Sequence, residues 1–361
     1  MSRGSEFNDV TTQRTIAAVV AVALLCATGG LNAQALTGVR IERLLDAPLI
    51  APGIHSSIGE NIQGPSVIKV PEWVDNPLGV YYLYFADHKG LYIRLAYADD
   101  LLGPWQIHAP GSLQIGNSYF LTEPPEVAPD IAARLQASQE RRGVPMSHDG
   151  LFEATTPHIA SPDVHVDDAN RRIVMYFHGL DGVSTQVSRV ATSSDGIHFE
   201  ARPERLGRTY MRVFQHGGYT YSMAMPGQFY RSRNPLDSFE EGPRLFNPSM
   251  RHSALLIRGN TLYVFWTQVG DAPEHIMLST VDIAGDWMSW KNTPGVEVLR
   301  PEHDWEGATA PLVPSVRSTA YGVVNQLRDP AIYEDAETGR IYLLYALGGE
   351  AGIAIAEVHL E

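Results

Sequence analysis

Arg328-Asp329-Pro330-Ala331-Ile332-Tyr333, then Arg340-Ile341-Tyr342-Leu343-Leu344-Tyr345, then Gly352-Ile353-Ala354-Ile355-Ala356-Glu357 form one module near the end of the sequence. Short runs of β-branched and aromatic residues, divided by turn formers, read as strands. The same order recurs upstream. One copy runs Gly64-Pro65-Ser66-Val67-Ile68, then Tyr81–Phe85, then Ile93–Ala98, and closes at Trp105. Another runs Ser161-Pro162-Asp163-Val164, then Ile173–Phe177, then Ser188–Ser193, and closes at Phe199. A degenerate copy spans Met211–Phe239, and a fourth runs from Arg251 to Trp290. A unit of three or four short strands cannot bury both faces alone, so repetition predicts radial stacking. The expected fold is all-β, a single-domain five-bladed propeller over residues 36–361. Its blades fall at about 61–107, 158–201, 210–242, 250–292 and 326–359. A β-sandwich is the competing arrangement.

Two segments stand outside the module, Pro110–Ala160 and Thr293–Gln326. The first holds the one long helical pattern, Asp130–Arg142. Long insertions in compact domains often carry function, and these are expected to wall a cleft at one end of the ring. The 361 residues are 44% hydrophobic and 19% charged, the balance of a packed domain rather than a disordered chain. A formal charge of −14 disfavours nucleic-acid and anionic-membrane partners, which need a basic face, and is compatible with a neutral polyol.

The single cysteine, Cys26, lies within Thr15–Ala35, where Arg14, a short apolar run and Ala33-Gln34-Ala35 give the three parts of a secretory signal. The run is too short to span a bilayer. Residues 1–35 are therefore read as a signal peptide, with Met1–Phe7 resembling a cloning remnant, and the protein as secreted or periplasmic. The mature chain would hold no cysteine, so packing alone stabilises it.

In a propeller the first residues of the five inner strands meet near the axis. Here they bring Glu60 and Asn61, His158 and Asp163, Arg212, Arg251 and His252, and Arg328 and Asp329. Asp87 and His88 follow the second strand of the first blade, and His178 the second strand of the next. Glycoside cleavage needs a carboxylic acid to protonate the leaving oxygen and a carboxylate to activate water or attack the sugar. Asp163, Asp329 and Glu60 are the candidate catalytic carboxylates. His158, Arg212, Arg251, His252, Arg328, Asp87, His88 and His178 are the candidate substrate-binding residues. The histidines lack tight metal-ligand spacing, so no metal or other cofactor is expected from spacing. The enzymatic reading requires Asp163 and Asp329 to open onto one cavity.

Arg328-Asp329-Pro330-Ala331-Ile332-Tyr333-Glu334-Asp335 with Gly339–Tyr345 resembles a blade of the five-bladed glycoside hydrolases of families 43, 32, 68 and 117. Gly64-Pro65-Ser66-Val67-Ile68 and Ser161-Pro162-Asp163-Val164 resemble two further blade starts, and Ser193–Phe199 a blade end. The likeness runs from Glu60 to Glu357 at the level of blade motifs. It implies cleavage of furanosides or related sugars by two or three carboxylates, single displacement with inversion, and a Ca²⁺ ion in the axial channel. Those families place a catalytic Asp immediately before Pro at the first blade start, where this chain has Gly64. The acid is left among Glu60, Glu306 and Glu350. A non-catalytic glycan-binding propeller, or a lyase or sialidase on a similar frame, are the alternatives. His and Tyr pairs at the funnel would point to the latter.

Overall fold

The computed structural model describes residues 38–142, 146–237 and 239–360, so the signal-peptide reading of 1–35 lies outside the described residues. Among them, twenty strands form five four-stranded antiparallel sheets, the expected five-bladed propeller. β1 (Val39–Arg43) stands apart from the strands that follow it. Blade I is β2 (Gln63–Lys69), β3 (Tyr81–Ala86), β4 (Tyr92–Ala98) and β5 (Gln106–Gln114); blade II is β6 (Ile159–Asp167), β7 (Arg172–Gly182), β8 (Thr185–Ser193) and β9 (Glu200–Ala201). Blade III is β10 (Arg212–His216), β11 (Tyr219–Ala224), β12 (Gln228–Ser232) and β13 (Glu240–Arg244). Blade IV is β14 (Met250–Arg258), β15 (Thr261–Gln268), β16 (Ile276–Asp282) and β17 (Val296–Leu299). Blade V is β18 (Arg328–Glu334), β19 (Ile341–Ala346) and β20 (Ile353–Leu360), completed on its outer edge by β1.

β1 pairs antiparallel with β20, from Val39↔Leu360 to Arg43↔Ala356, so the two ends of the chain share one sheet. This removes the free edge an incomplete blade would expose. The sequence reading left residues 36–60 without a strand. It also assigned Pro110 and Val296 to insertions, whereas β5 and β17 use them as outer strands.

The core lies between blades. Tyr84, Leu95, Ile159, Met175 and Phe177 pack blade I on blade II, and Leu256, Phe265, Leu343 and Tyr345 join blades IV and V. Leu83, Phe85, Phe229 and Phe265 are fully buried, each stabilising the fold by about 1.5–3 kcal/mol. The Asp195-Gly196 turn is part of this packing. Gly196 has φ +74°, its carbonyl accepts from Tyr84 Oη at 2.7 Å, and a Cβ there would lie 2.9 Å from that oxygen. Trp105, Trp266, Trp287 and Trp290 are also buried between blades rather than presented to a ligand.

The insertions meet over one end of the ring. α1 (Pro129–Arg142) and α2 (Gly150–Thr155) come from the first, the latter capped by Asp149, whose side chain accepts from Phe152 N. Met146 bridges to Arg317 of the second, Tyr321 Oη lies 2.8 Å from His148 Nε2, and Ser318 Oγ donates to Glu153. The two segments thus roof the end where the inner strands begin.

Candidate functional site

Four of the five inner strands begin with the same irregularity. Between Gln63 and Ser66, Ala160 and Asp163, Met250 and Ser253, and Arg328 and Ala331, the inner strand carries one more residue than its partner. Such a bulge bends the strand and re-aims its side chains. In three blades the residue before Pro takes a left-handed backbone: Gly64 at φ 64°, Ser161 at 52° and Asp329 at 47°. These are structurally equivalent positions, and only blade V places a carboxylate there. Asp163 is instead the first residue past its bulge, equivalent to Ser66 and Ala331.

That two-residue difference sends the two aspartates to different places. Asp329 is fully buried at the roofed end, where Tyr210 Oη donates to its Oδ1 at 3.0 Å. Its backbone N–H donates to His252 Nδ1 at 3.2 Å, so the neutral imidazole carries its proton on Nε2, which lies 3.5 Å from Asp329 Oδ1. Asp163 lines a separate cavity on the opposite face, accepting from His165 Nε2 at 2.7 Å and from Val213 N at 2.8 Å. It ties blade II to blade III. The structure does not bring Asp163 and Asp329 onto one cavity, and the reading that rested on that pair loses its basis. Glu60 is exposed, two residues ahead of Ile62, and joins neither cavity.

The roofed end encloses a cavity of about 340 Å³. Its polar lining includes His88 and Lys89 from the β3–β4 turn, Arg251 and His252 from β14, Gln186 from β8, and Glu153 from α2. Glu350 lies directly beneath. It is almost wholly buried and accepts from His88 Nδ1 at 3.0 Å, Asn61 Nδ2 at 2.7 Å and Arg328 Nη1 at 2.7 Å. Since a carboxylate only accepts, His88 carries its proton on Nδ1, and among the described residues no hydrogen bond reaches its Nε2.

Arg328 continues the array to Glu274, whose carboxylate also takes Nε and Nη2 of Arg251. Arg251, Glu274, Arg328 and Glu350 thus alternate in charge beneath the cavity floor. Burial raises the pKa of Glu350, but His88, Arg328 and Asn61 together hold it well below the usual carboxylate range. Burial, then the Glu350 charge, push Asp329 up to about 6. One carboxyl stays ionised while the other titrates near neutrality.

The remaining candidates support this arrangement. His158 is buried, donates from Nδ1 to Thr156 O at 2.8 Å, and is pushed down to about 3 by burial and by Lys89. His178 stands against it with ring centroids 6.0 Å apart, and burial likewise lowers its pKa. His178 pairs opposite Ala160, matching Ala86 of blade I, two residues short of His88. Asp87 caps the β3–β4 turn by accepting from Lys89 N at 2.9 Å. Glu306 is bound outside the funnel by Arg43 and by Tyr345 Oη at 2.8 Å. Sequence reasoning missed Glu153 and Glu274. Glu153 sits three residues past Gly150 in a short capped helix, and Glu274 in a loop with no recognisable motif.

The resemblance implied an axial calcium. Arg212 occupies that position between blades II, III and IV, with Nη1 donating to Ser161 O and Pro162 O at 3.2 Å each and Nε to Ser253 O at 3.2 Å. The carbonyls a calcium ion would use are already engaged, and among the described residues no cluster of three His, Cys, Asp or Glu is placed to hold a metal. The residues present do not fit the ion, and no step is routed through one.

No profile of an established protein family matches the chain. It is 36% identical over 325 residues to the uncharacterized protein R118 of Acanthamoeba polyphaga mimivirus, covering 82% of this chain and 83% of that protein. Among solved structures it superposes on CoXyl43, a family-43 β-xylosidase/α-arabinofuranosidase from a compost microbial metagenome. The TM-score is 0.51 at 12% identity, over 88% of this chain and 94% of that one. An endo-1,4-β-xylanase from Bacteroides thetaiotaomicron gives 0.51 at 12% identity, over 82% and 89%. An N-acetylgalactosamine deacetylase from F. plautii gives 0.52 at 10% identity, over 88% and 95%. At these identities the likeness is one of fold, the frame that family-43 glycoside hydrolases share.

Proposed function

We propose that this chain, which belongs to the same family as the uncharacterized protein R118 of Acanthamoeba polyphaga mimivirus, is a carbohydrate-active enzyme that cleaves a glycosidic bond at the roofed end of its propeller. The observation that carries the reading is the division of labour between Glu350 and Asp329. The first is held ionised and the second titrates at about 6, the split that acid and base roles require. Glu350 meets the cavity through His88, and Asp329 lies against His252, which lines it. His88, backed by Glu350, takes the proton of the attacking water at Nε2. Asp329, whose Oδ2 has no hydrogen-bond partner among the described residues, supplies the proton to the leaving oxygen from its own carboxyl. Glu153 and Lys89, paired at 3.0 Å on the cavity wall, orient the sugar hydroxyls.

The test is a screen of purified protein against aryl furanosides, aryl pyranosides and plant or algal polysaccharides, with His88→Ala and Glu350→Gln alongside. Turnover by the wild type that both variants retain would sink the assignment. A second reading, elimination rather than hydrolysis, draws on Tyr210 stacked on His252 with centroids 5.0 Å apart. Product masses separate the two, since hydrolysis adds a water and elimination does not. Binding without turnover would instead support the glycan-binding alternative, consistent with Gly64 and Ser161 standing where Asp329 has its counterparts. We further propose that Thr15–Ala35 exports the protein to the periplasm or medium, checked by N-terminal sequencing of the secreted form.

A further inference from the structure

We infer that the guanidinium of Arg212 is the built-in cation of the ring axis, and that it makes the propeller independent of a bound metal. Bulges at Ser161-Pro162 and at Arg251-His252 turn peptide oxygens inward from blades II and IV. Arg212 gathers Ser161 O, Pro162 O and Ser253 O at 3.2 Å each, and Met211 O at 3.4 Å. Carbonyl dipoles aimed at one point repel one another unless a positive charge lies between them, which is why such rings ordinarily hold hard cations.

Here the charge is covalently attached. Arg212 is 3% exposed, and its guanidinium lies 4.1 Å from the Tyr210 ring centroid, a cation–π contact that fixes its plane. A metal ion at the same point would displace the guanidinium and place two cations in a dry site. Arg212 also lines the open cavity and neighbours Tyr210 and Asp329 on the roofed side, so it stops the channel between the two ends. This gives Arg212 a positioning role, in place of the substrate contact expected from sequence.

The primary experiment measures metal content and melting temperature of the wild-type protein with EDTA and with CaCl₂. The expected result is substoichiometric calcium and a Tm unchanged within about 1 °C, because no metal is linked to folding. Stoichiometric calcium, or a Tm that falls in EDTA and recovers with CaCl₂, would overturn the inference. Arg212→Ala is expected to melt about 6–10 °C lower, and low millimolar guanidinium is expected to restore part of that loss. Absence of any loss would also overturn it. If that variant does not fold, Arg212→Lys keeps a cation but not the planar fork. It is expected to melt lower than wild type yet remain insensitive to EDTA.

Discussion

The two ends of the ring differ in a way that cavity size does not reveal. The open end holds the larger cavity, about 660 Å³ against about 340 Å³ beneath the roof. Its lining mixes apolar Val164, Val213, Ala254 and Ala331 with charged groups that pair singly, as Asp163 does with His165 at 2.7 Å and Lys69 with Glu337 at 2.5 Å. The roofed end is smaller, yet four charged side chains alternate beneath its floor with almost no exposure. Burying ions costs desolvation energy that their attraction repays only in part. Packed apolar residues would stabilise that space as well, so stability alone does not account for the array. Volume and buried charge thus single out different ends of the ring.

The sharpest way to break this comparison is to disarm each end in turn. Glu350→Gln or His88→Ala is expected to lower saccharide turnover by about 10²–10⁴-fold, while Asp163→Asn at the open end stays within about twofold. Equal losses at both ends, in kcat/KM, would dissolve the distinction. Next in size, Glu274→Gln leaves two buried guanidinium groups without their shared carboxylate and is expected to cost about 3–5 kcal/mol in urea melts.

The third measurement uses pH. Asp329 has a folded pKa raised to about 6, so the stability contributed by its neutral form is complete below the unfolded value near 3.9 and is lost as pH rises through about 6. Asp329→Asn removes that loss. Relative to wild type it is expected to gain up to about 3 kcal/mol between about pH 4 and pH 8, read from denaturation midpoints. His158, lowered to about 3, has the opposite sense. Its contribution is present above about pH 6.5 and is lost as pH falls, so His158→Gln should flatten the acid limb. The smallest effect belongs to the open rim, where Lys69→Ala is expected to leave the urea midpoint essentially unchanged.

The blades were legible because each inner trio of strands is local in sequence and carries its own period-two pattern. What escaped was non-local or irregular. Val39-Arg40-Ile41-Glu42-Arg43 alternates well enough, but its partner lies over three hundred residues away at Leu360–Ala356. The fourth strands of blades I and IV were hidden by Pro110 and Gly111, and by the turn residues before Val296. Of the candidates named from sequence, Asp329, Glu350, His88 and His252 lie at the roofed end. The sequence reading grouped Asp163 with Asp329 because a bulge is invisible in composition: Ser161-Pro162-Asp163 and Arg328-Asp329-Pro330 look alike, yet Asp329 lies within its bulge and Asp163 is the first residue past its own. Glu350 was weighed as an acid, and Arg328, Asn61 and His88 instead keep it charged.

The handover of blade V's outer edge to β1 also sets how the molecule faces its surroundings. β18 runs from the roofed end outward and β20 runs the same way, so Leu360 finishes at the far face and its partner Val39 starts there. Chain leaving Val39 or Leu360 therefore does so on the face opposite the roof, and a tether held at that face would leave the roofed end unobstructed.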